Sequence, residues 1–204
     1  MDWVTVSALA SAAGTLVLAG TTYASVRSAN RAARVAELSL LAGLRPLVVP
    51  SSEDDRPITV WFADRATLTV PGGGAAVEVT DGAVYIALSL RNVGPGIGIL
   101  HGGYVGGLKT GVDEHEPLDR FRMLVRDLYL PPGKVGFWQI SFSDDPRLEE
   151  VRGLVDSGQF SVELLYGDYE GGQRVVSRLA VRHDGDGWNL AIARHWQLDR
   201  PAPR

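Results

Sequence analysis

The run Ala83-Val84-Tyr85-Ile86-Ala87-Leu88-Ser89-Leu90-Arg91-Asn92-Val93 sets the character of most of the chain. Val84, Ile86, Leu88 and Leu90 point one way and Tyr85, Ala87, Ser89 and Arg91 the other, the period-two pattern of a half-buried strand. Working outward, similar alternating runs occupy 58–62, 66–70, 75–79, 123–130, 135–142, 160–166, 174–182 and 188–196. Turn signals separate them: Pro71-Gly-Gly-Gly74, Asp81-Gly82, Pro131-Pro-Gly133, Glu170-Gly-Gly172 and Asp184-Gly-Asp-Gly187. Many short strands at this spacing predict an antiparallel β-sandwich over 46–198, with 199–204 as a flexible tail. One helix interrupts them: Asp144 or Asp145 caps it, Pro146 opens it, Leu148, Val151, Leu154 and Val155 form its apolar face, and Gly158 ends it.

Upstream of Pro46 the pattern is helical. From Trp3 to Val26 there are 24 residues without a charge or a proline. At 1.5 Å per residue they span roughly 36 Å, enough for a hydrocarbon core of about 30 Å. Leu9, Leu16, Val17 and Leu18 are strongly apolar, while Thr5, Ser7, Ser11, Thr15, Thr21, Thr22 and Ser25 dilute them. A cleaved signal peptide would carry a positive segment ahead of its apolar stretch, and here only Asp2 precedes it. A buried helix of a soluble protein is the other competing reading. A retained anchor over 1–26 is the expectation, with Trp3 and Tyr23 as interfacial aromatics. Arg27, Arg31 and Arg34 follow the span directly, so the rule that Lys and Arg stay on the cytoplasmic side puts the N-terminus outside and the C-terminal domain inside. Ala10 with Gly14, and Gly20 with Ala24, are small-xxx-small pairs through which the helix could self-associate into a homo-oligomer. Residues 27–45 continue as an amphipathic juxtamembrane helix whose stripe includes Val26, Ala29, Ala33, Val35, Leu38 and Leu41, stopped by Gly43 and Pro46. It packs on the sandwich, or lays its arginines among anionic lipid headgroups.

Composition narrows the function classes. With 45% hydrophobic and 22% charged residues the chain reads as folded. The net charge of −4 and the lack of a basic stripe after the juxtamembrane segment argue against nucleic-acid partners. Without cysteine there are no disulfides, thiolate metal sites or cysteine nucleophile. Lys109 and Lys134 are the only lysines among 20 basic residues, a bias of GC-rich, actinobacterial-type genomes.

No run carries complete catalytic chemistry. His101-Gly-Gly-Tyr104 has the look of an esterase oxyanion loop, but no Gly-x-Ser-x-Gly nucleophile turn accompanies it, and glycines around a strand edge explain it better. Gly94-Pro-Gly-Ile-Gly98 and Pro71-Gly-Gly-Gly74 read as turns rather than phosphate loops. Asp113, Glu114, His115, Glu116 and Asp119 form the densest donor cluster, and Asp184 with Asp186 a smaller one; both read as solvated loops, since neither completes a ligand pattern. His183 and His195 lie on late strands and could meet across a hairpin.

At Leu90-Arg-Asn-Val-Gly-Pro-Gly96 and Tyr166-Gly-Asp-Tyr-Glu-Gly-Gly172 the chain resembles a loosely defined set of uncharacterised bacterial single-pass membrane proteins with an immunoglobulin-like sandwich. There an Asn-x-Gly turn follows a long central strand and a Tyr-x-Asp hairpin comes near the end. The resemblance implies a layout and no activity. The resulting expectation is a mainly β, non-catalytic, membrane-anchored binding or scaffolding module without a cofactor, its partners the lipid bilayer and another protein. Two alternatives stand beside it: a metal-dependent hydrolase using the acidic loop around His115, and an exported surface-associated domain.

Overall fold

The computed structural model describes residues 2–109 and 114–199. The uncharged stretch and the segment after it form one unbroken helix, α1 (Trp3–Gly43), so the expected span and juxtamembrane helix are continuous. Gly43 ends it, as helix-stop chemistry with Pro46 beyond requires. The chain divides into two units, Met1–Gly43 and Leu44–Arg204.

The second unit is mainly β and antiparallel. Its strands are β1 (Val48–Pro50), β2 (Ile58–Trp61), β3 (Thr67–Val70), β4 (Gly74–Val79), β5 (Ala83–Asn92), β6 (Gly98–Gly106), β7 (Arg122–Met123), β8 (Tyr129–Leu130), β9 (Val135–Ser143), β10 (Gln159–Gly167), β11 (Val175–His183) and β12 (Trp188–Gln197), with a short helix α2 (Leu148–Asp156) after β9. Ten strands make one sheet, in the order β1-β5-β4-β12-β11-β10-β6-β7, with β9 on the other edge of β5 and β8 beside β7 on β6. The sheet curls so that β5 and β9 face β10, β11 and β6, and the expected sandwich is built from a single sheet. Its two halves are joined where Ala75 pairs with Trp188 and Gly74 with Asn189.

The inner faces enclose the main core. Val84, Ile86, Leu88 and Leu90 of β5 and Trp138, Ile140 and Phe142 of β9 meet Phe160, Val162, Leu164 and Tyr166 of β10 and Leu179 and Val181 of β11. Helix α2 closes one end with Val151 and Val155, and Leu148 and Leu154 pack against the same core. Its entry differs slightly from expectation. Pro146 lies in the turn before the helix, and Asp145 Oδ1 accepts the Arg147 N–H at 2.8 Å. Gly158 ends it at φ +71°, a conformation that favours glycine.

Three strand expectations change. β5 is buried on both faces, because the β2–β3 hairpin lays Val60, Phe62, Leu68 and Val70 over Ala83, Tyr85 and Ala87. The expected strand at 123–130 is two short pieces, Met123 pairing with Gly102 and Leu130 with Gly98, with the intervening residues looped outward. The glycine-rich run 98–106, read as turns and an edge, is the long central strand β6, which pairs with β10 along its length. Its glycines are needed for close approach. A Cβ on Gly103 would stand 2.5 Å from the Trp138 ring, and one on Gly102 the same distance from the Arg122 carbonyl oxygen.

The two runs singled out beside the resemblance are structural clamps. Asn92 is fully buried with all four amide positions used. Its Oδ1 accepts from Leu47 N–H at 3.1 Å and Gly94 N–H at 3.0 Å. Its Nδ2 donates to the Gly96 and Leu130 carbonyls at 2.6 and 2.9 Å. Asp168, also buried, accepts from Gly172 N–H at 2.9 Å and Gln173 Nε2 at 3.1 Å, which fixes the β10–β11 turn.

Candidate functional site

On α1, Tyr23, Arg27, Asn30, Arg31 and Arg34 share one helix face. The spacing of three and four residues puts the three guanidiniums side by side, just past the apolar stretch. Trp3 and Tyr23 are exposed near the two ends of that stretch. Gly14 and Gly20 have open space where a side chain would stand. At about 100° per residue they fall with Ala10 and Ala24 within about a third of the helix circumference. One helix, with its apolar window in Val6–Gly43, is long and apolar enough to cross a membrane, and none of that window is buried by the chain itself.

In the β domain the acidic cluster does not converge: among its described residues Glu116 alone is shown in ion pairs, and Glu114 and Asp119 are exposed. Asp113 lies outside the described residues. Glu116 is buried, and its two oxygens are taken separately: Oε1 by Lys109 and Oε2 by Arg120 Nη1 at 2.6 Å. The hydrogen bond from Lys109 holds the Glu116 carboxyl below its usual range, with further support from Arg120 and against the effect of burial. His115 turns Nδ1 to the Glu116 carbonyl oxygen at 2.7 Å and sets its ring against Trp196, centroids 5.8 Å apart. Among the described residues no three His, Asp or Glu side chains converge on a metal position. Asp184, in the second acidic run, accepts from the Asp186 and Gly187 N–H groups of its own turn and from Asn189.

Beneath this loop lies a cluster the sequence reading missed. Glu163 of β10 and Arg178 of β11 stand opposite each other and are fully buried. Arg178 Nε and Nη2 both donate to Glu163 Oε1, at 2.8 and 2.6 Å. Glu163 Oε2 accepts the Glu116 N–H at 2.8 Å, and Arg178 Nη2 also donates to the Glu114 carbonyl at 2.9 Å. The guanidinium sits 4.9 Å over the Trp196 ring. Nearby, Tyr104 lies between Arg120 and Arg147 at 4.8 and 4.6 Å. The signal was present in the alternation, since Glu163 and Arg178 occupy outward positions of strands otherwise rich in apolar residues. Only the register shows that they face each other.

The late-strand histidines do not meet. His183 pairs in register with Trp188 and His195 with Ser177, at opposite ends of the β11–β12 hairpin. His195 Nδ1 lies 3.0 Å from Ser177 Oγ, which lies 3.3 Å from the Tyr166 hydroxyl, which receives the Val48 N–H. Burial lowers the pKa of His195, and Arg45 adds to the effect. His101 is the extra residue where β6 bulges against β10; burial and Arg174 lower its pKa, and its buried Nε2 has no partner among the described residues.

No family model matches the sequence, and no curated protein matches it. Among solved structures, the chain is similar to a β-glucosidase from Kluyveromyces marxianus in complex with glucose, at 17% identity and a TM-score of 0.25, over 61% of this chain and 13% of the enzyme. The selenomethionine-labelled form of that enzyme gives the same identity and TM-score over 60% and 14%. The chain thus spans a small fraction of those enzymes, and a likeness of this degree carries no argument about activity here.

Proposed function

We propose that the protein is a non-catalytic, membrane-anchored binding or scaffolding module, with α1 crossing the bilayer once and an immunoglobulin-like β domain on the cytoplasmic side engaging another protein. The observation that carries the anchor is the exposure of α1: Leu9, Leu16, Val17 and Leu18 are each about two-thirds or more exposed. Side chains of this kind need an apolar surrounding, and lipid supplies one. Three of the hydroxyls that dilute the stretch are turned back onto the helix. Ser7, Thr15 and Thr21 donate to the carbonyls of Val4, Ser11 and Leu18, which lowers the cost of placing them in hydrocarbon. Arg27, Arg31 and Arg34 support the orientation through positive-charge retention.

The non-catalytic reading is supported by how the charges of the domain are used. Glu116, Glu163, Arg120 and Arg178 are bound to one another, and the acidic loop serves as a lid over the sheet. Alkaline carbonate extraction of cell membranes together with a C-terminal reporter tests the placement. The full chain should stay in the pellet with the reporter cytoplasmic, and neutralising Arg27, Arg31 and Arg34 together should scramble the reporter's side. Release into the supernatant, or a mature N-terminus cut near the end of the apolar stretch, overturns the anchor; an external reporter overturns the orientation.

A further inference from the structure

The outer edge of β9 is an unused strand template. Asn92 on β5 exchanges main-chain bonds toward the β9 side, with Lys134 O at 3.2 Å and Gly133 N at 2.8 Å. Ser89 bonds the other way, to Ser51 N at 3.1 Å. Antiparallel pairing alternates, so the even-numbered residues of β5 address β9. Their partners Gly136, Trp138, Ile140 and Phe142 are thereby engaged, and the N–H and C=O groups of Phe137, Gln139 and Ser141 point away from the sheet. Among the described residues, the one bond to that row is from Arg122 Nη1 to the Ser141 carbonyl at 2.5 Å. Neighbouring β7 pairs with β6 and leaves the β9 edge open.

The seam has the size and chemistry for a polypeptide strand. It holds a cavity of about 160 Å³ lined by Phe62, Met123, Leu124 and Ile140, with Arg126 beside them; Arg122, also on the lining, is ion-paired with Asp145, whereas Arg126 Nε stands 3.8 Å from Asp127. That volume suits one or two side chains and falls short of the roughly 300 Å³ or more of a small-molecule site. Apolar surface flanks it: Trp61 is 63% exposed, Met123 57% and Val125 91%. Arg126 Nη2 rests on the Trp61 carbonyl, which a main-chain donor can replace.

We propose that the outer edge of β9 docks an extended acidic segment of a partner protein, which adds to the sheet as a further strand and sets a carboxylate on Arg126. This rests on the binding-module reading above and names its site. Unpaired edge strands with an adjacent groove are recognised in this way, main-chain bonds giving affinity and alternate side chains specificity. A second copy of the chain fits the edge poorly, because two-fold pairing would bring Arg126 of one copy toward Arg126 of the other.

The test uses full-length protein in detergent micelles, titrated with a strand-forming peptide of alternating glutamate and valine and with its lysine–valine counterpart. Saturating glutamate peptide should slow amide exchange at Phe137, Gln139 and Ser141 by about tenfold or more, while the lysine peptide does not. Arg126→Glu should weaken binding by about tenfold at an unchanged melting temperature. Ser141→Pro removes one outward donor and spares the β5 ladder, and should weaken binding likewise; if it does not fold, Arg126→Glu decides. Unchanged exchange at the three amides, equal binding of the lysine peptide, or protection of the same amides in a peptide-free dimer overturns the proposal. Pull-down from membranes separates it from the reading beneath it. A partner retained by Arg126→Glu overturns the β9 site alone; if the wild-type chain retains no partner, the module reading fails and the peptide titration still judges the edge.

Discussion

Over β5 the outer sheet face is closed by the β2–β3 hairpin, with Val60, Phe62, Leu68 and Val70 against Tyr85 and Ala87. Over β10 and β11 the same task falls to residues 114–121, and what they bury is a Glu163–Arg178 ion pair roofed by main chain and ringed by Tyr104, Phe121 and Trp196. The two covers teach different lessons about what holds a sheet face shut. An apolar cover gains from area removed from water and tolerates small shifts. A charged one must meet each donor and acceptor, or leave a desolvated charge uncompensated. The ionic cover is thus the one with a single allowed position.

The largest break of that contrast is Glu163→Ala. It strands Arg178 in a closed site and should cost about 3–5 kcal/mol in a denaturant melt. Replacing both partners with methionine should return most of that loss; a double variant as unstable as the single one would show that the pair does more than neutralise itself. On the apolar side Phe62→Ala should cost about 3 kcal/mol, with no partner change able to restore it except refilled volume. The smallest effect is titration. Lys109 and Arg120 hold Glu116 below the ordinary Glu value of 4.5, so its contribution is complete above that pH and is lost as pH falls through the lower, folded-state value. Asp64, held down by the Tyr85 hydroxyl, titrates in the same acid range, so the readout must be local. Amide exchange over 114–121 should accelerate as pH falls below the ordinary Glu value of 4.5, before that of the hairpin core does. Simultaneous opening would mean that the two covers are not independent.

What the sequence disclosed follows the same division. Apolar periodicity is a local signal, and it revealed α1, the face of α2 and most of the strands, including the whole of β5. It failed at β6, because glycine is depleted in strands, and the run 98–106 reads as a turn and a strand edge until one knows that Trp138 and β7 need the space. The double burial of β5 was hidden because Tyr85, Ala87 and Ser89 are compatible with solvent, and only the hairpin crossing above them dries that face. The acidic loop was visible as a cluster of charges. Its real counterparts, Glu163 and Arg178, lie 47 and 64 positions from Glu116 and Glu114. No spacing rule reaches so far. Arg27, Arg31 and Arg34 were legible because a helix face is fixed by spacing alone.

Asn92 bears on how the second unit meets a load. Its side chain grips Leu47, Gly94 and Gly96 together, and a Cβ on Gly94 would stand 2.5 Å from the Arg45 carbonyl oxygen, so the segment from Arg45 to Leu47 is seated against the 94–96 turn. β1 then carries the chain directly onto β5. Tension arriving at Leu44 therefore meets the Asn92 clamp before it reaches β1, the three-residue strand at the end of the sheet order. Under traction this buried amide acts as a rivet, holding the entering chain to the domain ahead of a strand too short to resist peeling by itself.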